Sequence, residues 1–104
     1  MANNLPNGFD LTGKVALVTG AGAPVGRAIA LALAEAGASV AVAPWLGKLA
    51  EANAVRETAT AVEGLGRKAL ALAGRATDPG DVEAMFRDVA ARLGRLDIVV
   101  CYPD

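Results

Sequence analysis

At 104 residues the chain is sized for one domain, and 10 Lys and Arg against 11 Asp and Glu leave a formal net charge of -1. That balance offers no basic footprint, so neither nucleic acid nor an anionic membrane surface is expected as a partner. With no histidine and one cysteine, the composition excludes Ser-His-Asp and Cys-His relays, His-ligated metal centres and an intrachain disulfide. Hydrophobic residues make up 54% but aromatic ones only 4%, so the interior must be built from Ala, Val and Leu. No apolar run approaches the roughly 20 residues of a membrane span, and no basic segment leads an apolar stretch at the N-terminus. A lone thiol, Cys101, makes a reducing, cytoplasmic location the expectation.

Residues 1–10 are polar, with Asn3, Asn4, Pro6, Asn7 and Gly8, and read as a flexible leader. Leu11-Thr12-Gly13 turns the chain into a first strand over 14–19, an apolar run of Val15, Ala16, Leu17 and Val18. Beyond a glycine-rich turn, Val25, Ile29, Ala32, Leu33 and Ala36 recur at helical spacing. Gly37 stands where a C-cap glycine belongs, which predicts a helix over about 25–36. A second strand covers 39–43, ended by Pro44, which cannot donate to a ladder.

Leu49, Ala52, Val55, Ala59, Val62 and Leu65 restore the helical period, closed by Gly64 and Gly66, and a third strand is predicted over 69–73. Asp78-Pro79-Gly80-Asp81 carries a helix start: a carboxylate able to cap, a proline suited to the first helical position, and a second acid three residues beyond the cap. Val82, Met85, Phe86, Val89 and Leu93 give that helix one apolar face, assigned to the core, and Gly94 stops it. A fourth strand covers 96–100. Strict alternation of strands and helices predicts a parallel sheet with right-handed crossovers.

The chemistry concentrates at the first strand-to-helix turn. A strand that breaks into a glycine loop and runs at once into a helix aims backbone N–H groups and the positive helix end at one spot. That arrangement suits a nucleotide diphosphate. The glycines here are spaced Gly20-x-Gly22-x-x-x-Gly26, longer than the generic G-x-G-x-x-G.

Three stretches, Leu11-Thr12-Gly13-Lys14-Val15-Ala16-Leu17-Val18-Thr19-Gly20, Arg27-Ala28-Ile29-Ala30 and Gly94-Arg95-Leu96-Asp97-Ile98-Val99-Val100, together resemble the N-terminal half of the short-chain dehydrogenase/reductase family. The resemblance spans about residues 9–100. It implies an α/β fold over residues 11–104: half of a Rossmann-type doubly wound parallel sheet, truncated to four strands in the order 3-2-1-4 with three helices. The first two helices would lie on one face and the third on the other. It further implies NAD(P)-dependent oxidoreduction, with Thr19, Gly20, Gly22, Val25 and Gly26 at the cofactor-binding loop.

Against that family the chain departs at four places. The family's loop reads Thr-Gly-x-x-x-Gly-x-Gly; Thr19, Gly20 and Gly26 match, while Pro24 replaces the middle glycine, adding a ring and deleting an N–H. Ala43-Pro44-Trp45 ends the second strand without a carboxylate or arginine for a ribose, and Trp45 reads as a partly exposed cover over the sheet edge. Arg75-Ala76 stands where the family has Asp-Val, and Cys101-Tyr102-Pro103-Asp104 where it has Asn-Asn-Ala-Gly. The family's catalytic Ser and Tyr-x-x-x-Lys pair have no counterpart in the sequence.

The expectation is a non-catalytic or redeployed module: no catalytic residue, no metal, no cofactor, and a vestigial loop at Thr19, Gly20, Gly22, Val25 and Gly26. Such a module would act as a homo-oligomer or with another protein chain through the bare edge of the fourth strand, beside a half-covered face that exposes Val and Leu. Two alternatives stay open. One is an NAD(P)-dependent oxidoreductase, as a fragment or completed by a partner, with NAD(P) held in the ancestral site. The other is a cofactor-independent small-molecule-binding protein or enzyme using the old cleft, with Lys14, Arg27, Arg75 and Asp104 as its charges.

Overall fold

The structure is a computed structural model and describes residues 10–103. Seven elements follow in the expected order: β1 (Val15–Thr19), α1 (Pro24–Glu35), β2 (Ser39–Ala43), α2 (Leu49–Gly64), β3 (Ala69–Ala71), α3 (Pro79–Leu93) and β4 (Ile98–Cys101). The strands form one parallel sheet in the order β3-β2-β1-β4, as expected. Order reverses between β1 and β4, because β2 and β3 extend to one side of β1 and β4 lies on the other.

Every residue of β1 and all of β2 but Ser39 is buried, and all but Thr19 and Ser39 are apolar, as befits central strands covered on both faces. Alternate residues sort to opposite faces. Val18, Val40 and Val42 pack with Ala30 and Ala34 of α1 and Val55, Ala59 and Val62 of α2. On the reverse face, Val15, Leu17, Ala41 and Ala43 pack with Met85 and Val89 of α3. Helix α1 buries only Gly26, Ala30 and Ala34, a stripe of small residues one turn apart that lets its backbone lie close to the sheet.

The start of α3 is built as its sequence predicts. Pro79 opens it, and the Asp78 side chain accepts the Asp81 N–H at 3.1 Å. Its apolar face is narrower than expected: Met85 and Val89 are buried, whereas Phe86 is 40% exposed. At the 3.6-residue period Phe86 is turned about 100° from Met85, onto the flank of the helix.

Beyond a one-residue shift at the start of β1, two strands differ from their predicted limits. After Ala71 the Leu72 N–H still reaches the Val42 carbonyl at 2.9 Å, but the chain then bends at Gly74 (φ +116°), and the Arg75 N–H is taken by Asp81. β4 begins at Ile98 rather than at residue 96, because Asp97 is committed to a junction. Its N–H donates to the Val15 carbonyl and its carboxylate accepts the Val15 N–H and the Arg95 guanidinium. Those bonds hold the Asp97 carboxyl below the usual carboxylate range, the Arg95 donation first. Of the expected leader, residues 1–9 lie outside the described residues. Asp10 is fixed, its carboxylate accepting from the Thr12 N–H and hydroxyl at 3.0 and 2.6 Å.

Candidate functional site

β1 runs out at Gly20, whose φ of +70° turns the chain over the sheet's C-terminal edge. A Cβ at Gly20 would overlap the Tyr102 carbonyl oxygen, and a Cβ at Gly26 would overlap the carbonyl of Gly20. Only glycine serves at either position. Gly22 is close-packed from a different direction: a Cβ there would stand 2.9 Å from Ala54 Cβ, on α2. The space that this glycine leaves open is filled by a neighbouring helix.

Ala23 precedes α1 without a side-chain cap, and Pro24 occupies the first turn, so the fold tolerates the proline as expected. The first backbone bond into the helix is Arg27 N–H to the Ala23 carbonyl, and the Ala23 N–H returns to the Gly20 carbonyl. The N–H groups of Gly22, Val25 and Gly26 find no acceptor among the described residues. Three donors at the positive end of a twelve-residue helix are therefore open to an anion. Thr19, 3% exposed, lies between Ala43 and Cys101 in register, and its hydroxyl has no partner among the described residues. A buried orphan hydroxyl at the mouth of the central strand is the second group here left for a ligand or water.

The loop is held from behind. Thr58 of α2, fully buried, places its hydroxyl 2.9 Å from the Ala21 carbonyl, while the Ala21 N–H donates to the Ala43 carbonyl. Reading the apolar period of α2 passed over Thr58, although it falls three residues after Val55 and four before Val62. A hydroxyl on a buried helical face needs a partner, and that was the available signal.

The end of β2 corrects the sequence reading. No carboxylate or arginine lies in Ala43-Pro44-Trp45, yet the fold brings the Glu51 carboxylate to Trp45 and the stem of Arg75 to Gly47 just beyond. The Glu51 carboxylate, from the first turn of α2, reaches back to the N–H groups of Trp45 (2.8 Å), Leu46 (3.1 Å) and Lys48 (3.0 Å). Burial pushes this carboxyl up, but the donations from Lys48, Trp45 and Leu46 and the Lys48 charge together outweigh it, so it titrates below the ordinary range. From the loop after β3, the Arg75 side-chain stem lies against Gly47, and the Ala76 N–H joins the Trp45 carbonyl at 2.8 Å. Trp45 itself is half-buried.

Of the charges considered for a redeployed cleft, the three in the described residues belong to separate segments of the fold. Lys14 precedes β1 at the far end of the sheet, roughly 16 Å of strand away from the glycine loop. Arg27 sits in the first turn of α1, half-buried, and Arg75 stands beyond β3. Asp104 lies outside the described residues. Cys101 is an exposed free thiol at the end of β4, and no cluster of three metal-ligating side chains occurs among the described residues.

A family model described as short chain dehydrogenase matches residues 14–101, from the start of β1 to the end of β4. The chain belongs to the short-chain dehydrogenase family. It is 42% identical over 90 residues to hydroxynaphthalene reductase arp2 of Aspergillus fumigatus, a match covering 86% of this chain and 32% of that protein. It is 44% identical over 94 residues to the hydroxyacyl-CoA dehydrogenase ChsB1 of Mycobacterium tuberculosis, covering 90% and 29%. Among solved structures, a short-chain dehydrogenase/reductase from Mycobacterium marinum superposes with a TM-score of 0.77 at 42% identity, over 88% of this chain and 35% of that one. A hydroxysteroid dehydrogenase from Escherichia coli gives 0.80 at 34% identity, over 89% and 37%.

The chain thus spans about a third of the length of the short-chain dehydrogenases it matches, a family that typically binds NAD(P). The group fits at the diphosphate: three free N–H donors and two glycines with no room for a Cβ form the cradle. At the ribose end, Glu51 is already committed to three backbone donors. No helix among the described residues is long and apolar enough to cross a membrane.

Proposed function

We propose that the chain is the coenzyme-side part of a short-chain oxidoreductase and that it binds NAD(P) by the diphosphate. The observation carrying this reading is the set of unpaired N–H groups at Gly22, Val25 and Gly26 beside a glycine turn packed too tightly for any side chain. The start of α1 has no side-chain cap, so its first-turn donors are left to water or to an anion. Pro24 removes one donor from the loop and leaves the other three available. The bound group would supply hydride transfer. The residues of this chain would anchor its phosphates, with the Thr19 hydroxyl at the strand mouth beside them. The family's Tyr-x-x-x-Lys pair has no counterpart in these 104 residues, so the proton-transfer step is assigned to none of them.

Titration with NADH, NADPH and ADP, followed calorimetrically and through Trp45 fluorescence, tests the reading. Micromolar binding of any of the three is expected, and the absence of heat and fluorescence change at millimolar ligand would overturn it.

A second reading rests on β4. Val99 is 43% exposed on the α3 side of the sheet, and one edge of its strand has no neighbour among the described residues. The edge would then pair with another polypeptide strand, in the simplest case from a second copy of this chain. A monodisperse monomer in light scattering would defeat it.

A further inference from the structure

We infer that Thr58 is a positioning residue for the phosphate loop: it turns the Ala21–Gly22 peptide so that the Gly22 N–H is presented to a bound anion. This rests on the nucleotide reading of the loop and names a residue outside it.

The argument is one of peptide geometry. No peptide bond among the described residues is cis, and in a trans peptide the carbonyl and the following N–H point in opposite directions. The Ala21 carbonyl is drawn toward α2 by the Thr58 hydroxyl, at 2.9 Å. Its partner across the same peptide plane, the Gly22 N–H, is therefore turned away from α2, where it meets no acceptor among the described residues. Thr58 also lies 3.1 Å from the Ala54 carbonyl, one turn back in its own helix. That carbonyl belongs to the helical ladder, whereas the Ala21 carbonyl has no other donor among the described residues, so the single hydroxyl proton goes to Ala21.

Two further contacts hold the arrangement. The Ala21 N–H is fixed to the Ala43 carbonyl at 3.1 Å, and Ala54 closes against Gly22. Without the hydroxyl, a buried carbonyl is left unsatisfied. Glycine at position 22 imposes little barrier to rotation of that peptide, so the carbonyl can swing out and withdraw the N–H from the cradle.

The test uses the isotope-labelled chain and ADP as probe, read by amide NMR. In the wild type the Gly22 amide should exchange rapidly without ligand and shift on ADP addition together with Val25 and Gly26. A Gly22 amide protected from exchange in the free chain would overturn the inference, and this arm needs no variant. Thr58→Val removes the donor at constant volume. ADP affinity should fall about tenfold, the loss of one charge-assisted hydrogen bond. The Gly22 response should vanish while those of Val25 and Gly26 persist, and Thr58→Ser should restore both.

A purely structural role would lower the melting temperature and leave ADP affinity and the Gly22 response unchanged, which would refute the assignment. If the wild type shows no ADP response at all, the nucleotide reading fails, and the ligand-facing role of Thr58 falls with it. A wild type that binds ADP with Gly22 silent defeats the inference alone.

Discussion

The two flanks of β1 are finished to different standards. On the β2 side the loops at the sheet's C-terminal edge are tied together by named bonds. Thr58 holds Ala21, Glu51 gathers the N–H groups of Trp45, Leu46 and Lys48, and Ala76 joins Trp45. On the β4 side the strand is half-exposed, with Val99 43% open and Cys101 exposed beside the orphaned Thr19 hydroxyl. The glycine loop is tied down on the β2 flank, and exposed apolar surface collects on the β4 flank, where one strand edge has no neighbour among the described residues.

Disturbing the finished flank should cost most. Gly26→Ala drives a methyl into the Gly20 carbonyl, and backbone cannot yield as a flexible side chain can. A loss of about 3 kcal/mol is expected by urea denaturation, near the top of the overpacking range, together with loss of ADP binding. Loss of stability under about 1 kcal/mol would show that the turn is slacker than described.

A smaller effect is expected at the end of β2. Glu51→Gln keeps the shape but weakens three accepted bonds, for about 1 kcal/mol after solvent screening. Because the folded-state carboxyl titrates below its ordinary range, its contribution is complete above the unfolded value and is lost as pH falls through the folded one. The gap between wild type and Glu51→Gln should therefore be full at neutral pH and close below about pH 4. A gap that persists in acid would assign the effect to packing.

On the unfinished flank, Val99→Lys should change stability by less than about 0.5 kcal/mol, as befits an exposed position. It should abolish any self-association seen by light scattering, since a lysine on an edge strand blocks pairing. Association that survives the substitution would move the contact away from β4.

Much of the fold was legible before any coordinates, because it rests on local signals. Buried strands read as apolar runs, the Asp78-Pro79-Gly80-Asp81 start carries its own cap, and glycines mark the turns. The strand order and the family follow from three stretches of residues and hold in the structure. The glycine loop and its free donors were legible too, since a strand, a turn and a helix in sequence place them together without help from the rest of the chain.

Tertiary structure alone decided what stands around that loop. Thr58 and Ala21 are 37 residues apart, and no local pattern announces a hydroxyl that serves a carbonyl in another element. The Glu51 carboxylate is absent from the strand end in sequence and present there in space, because the first turn of α2 delivers it. The limits of β3 and β4 were likewise set by distant partners, Asp81 and Val15, that compete for backbone groups. Periodicity and capping act within a few residues and are written in the chain. Satisfaction of buried polar groups is a property of the packed molecule, and it is there that the cradle acquires its orientation.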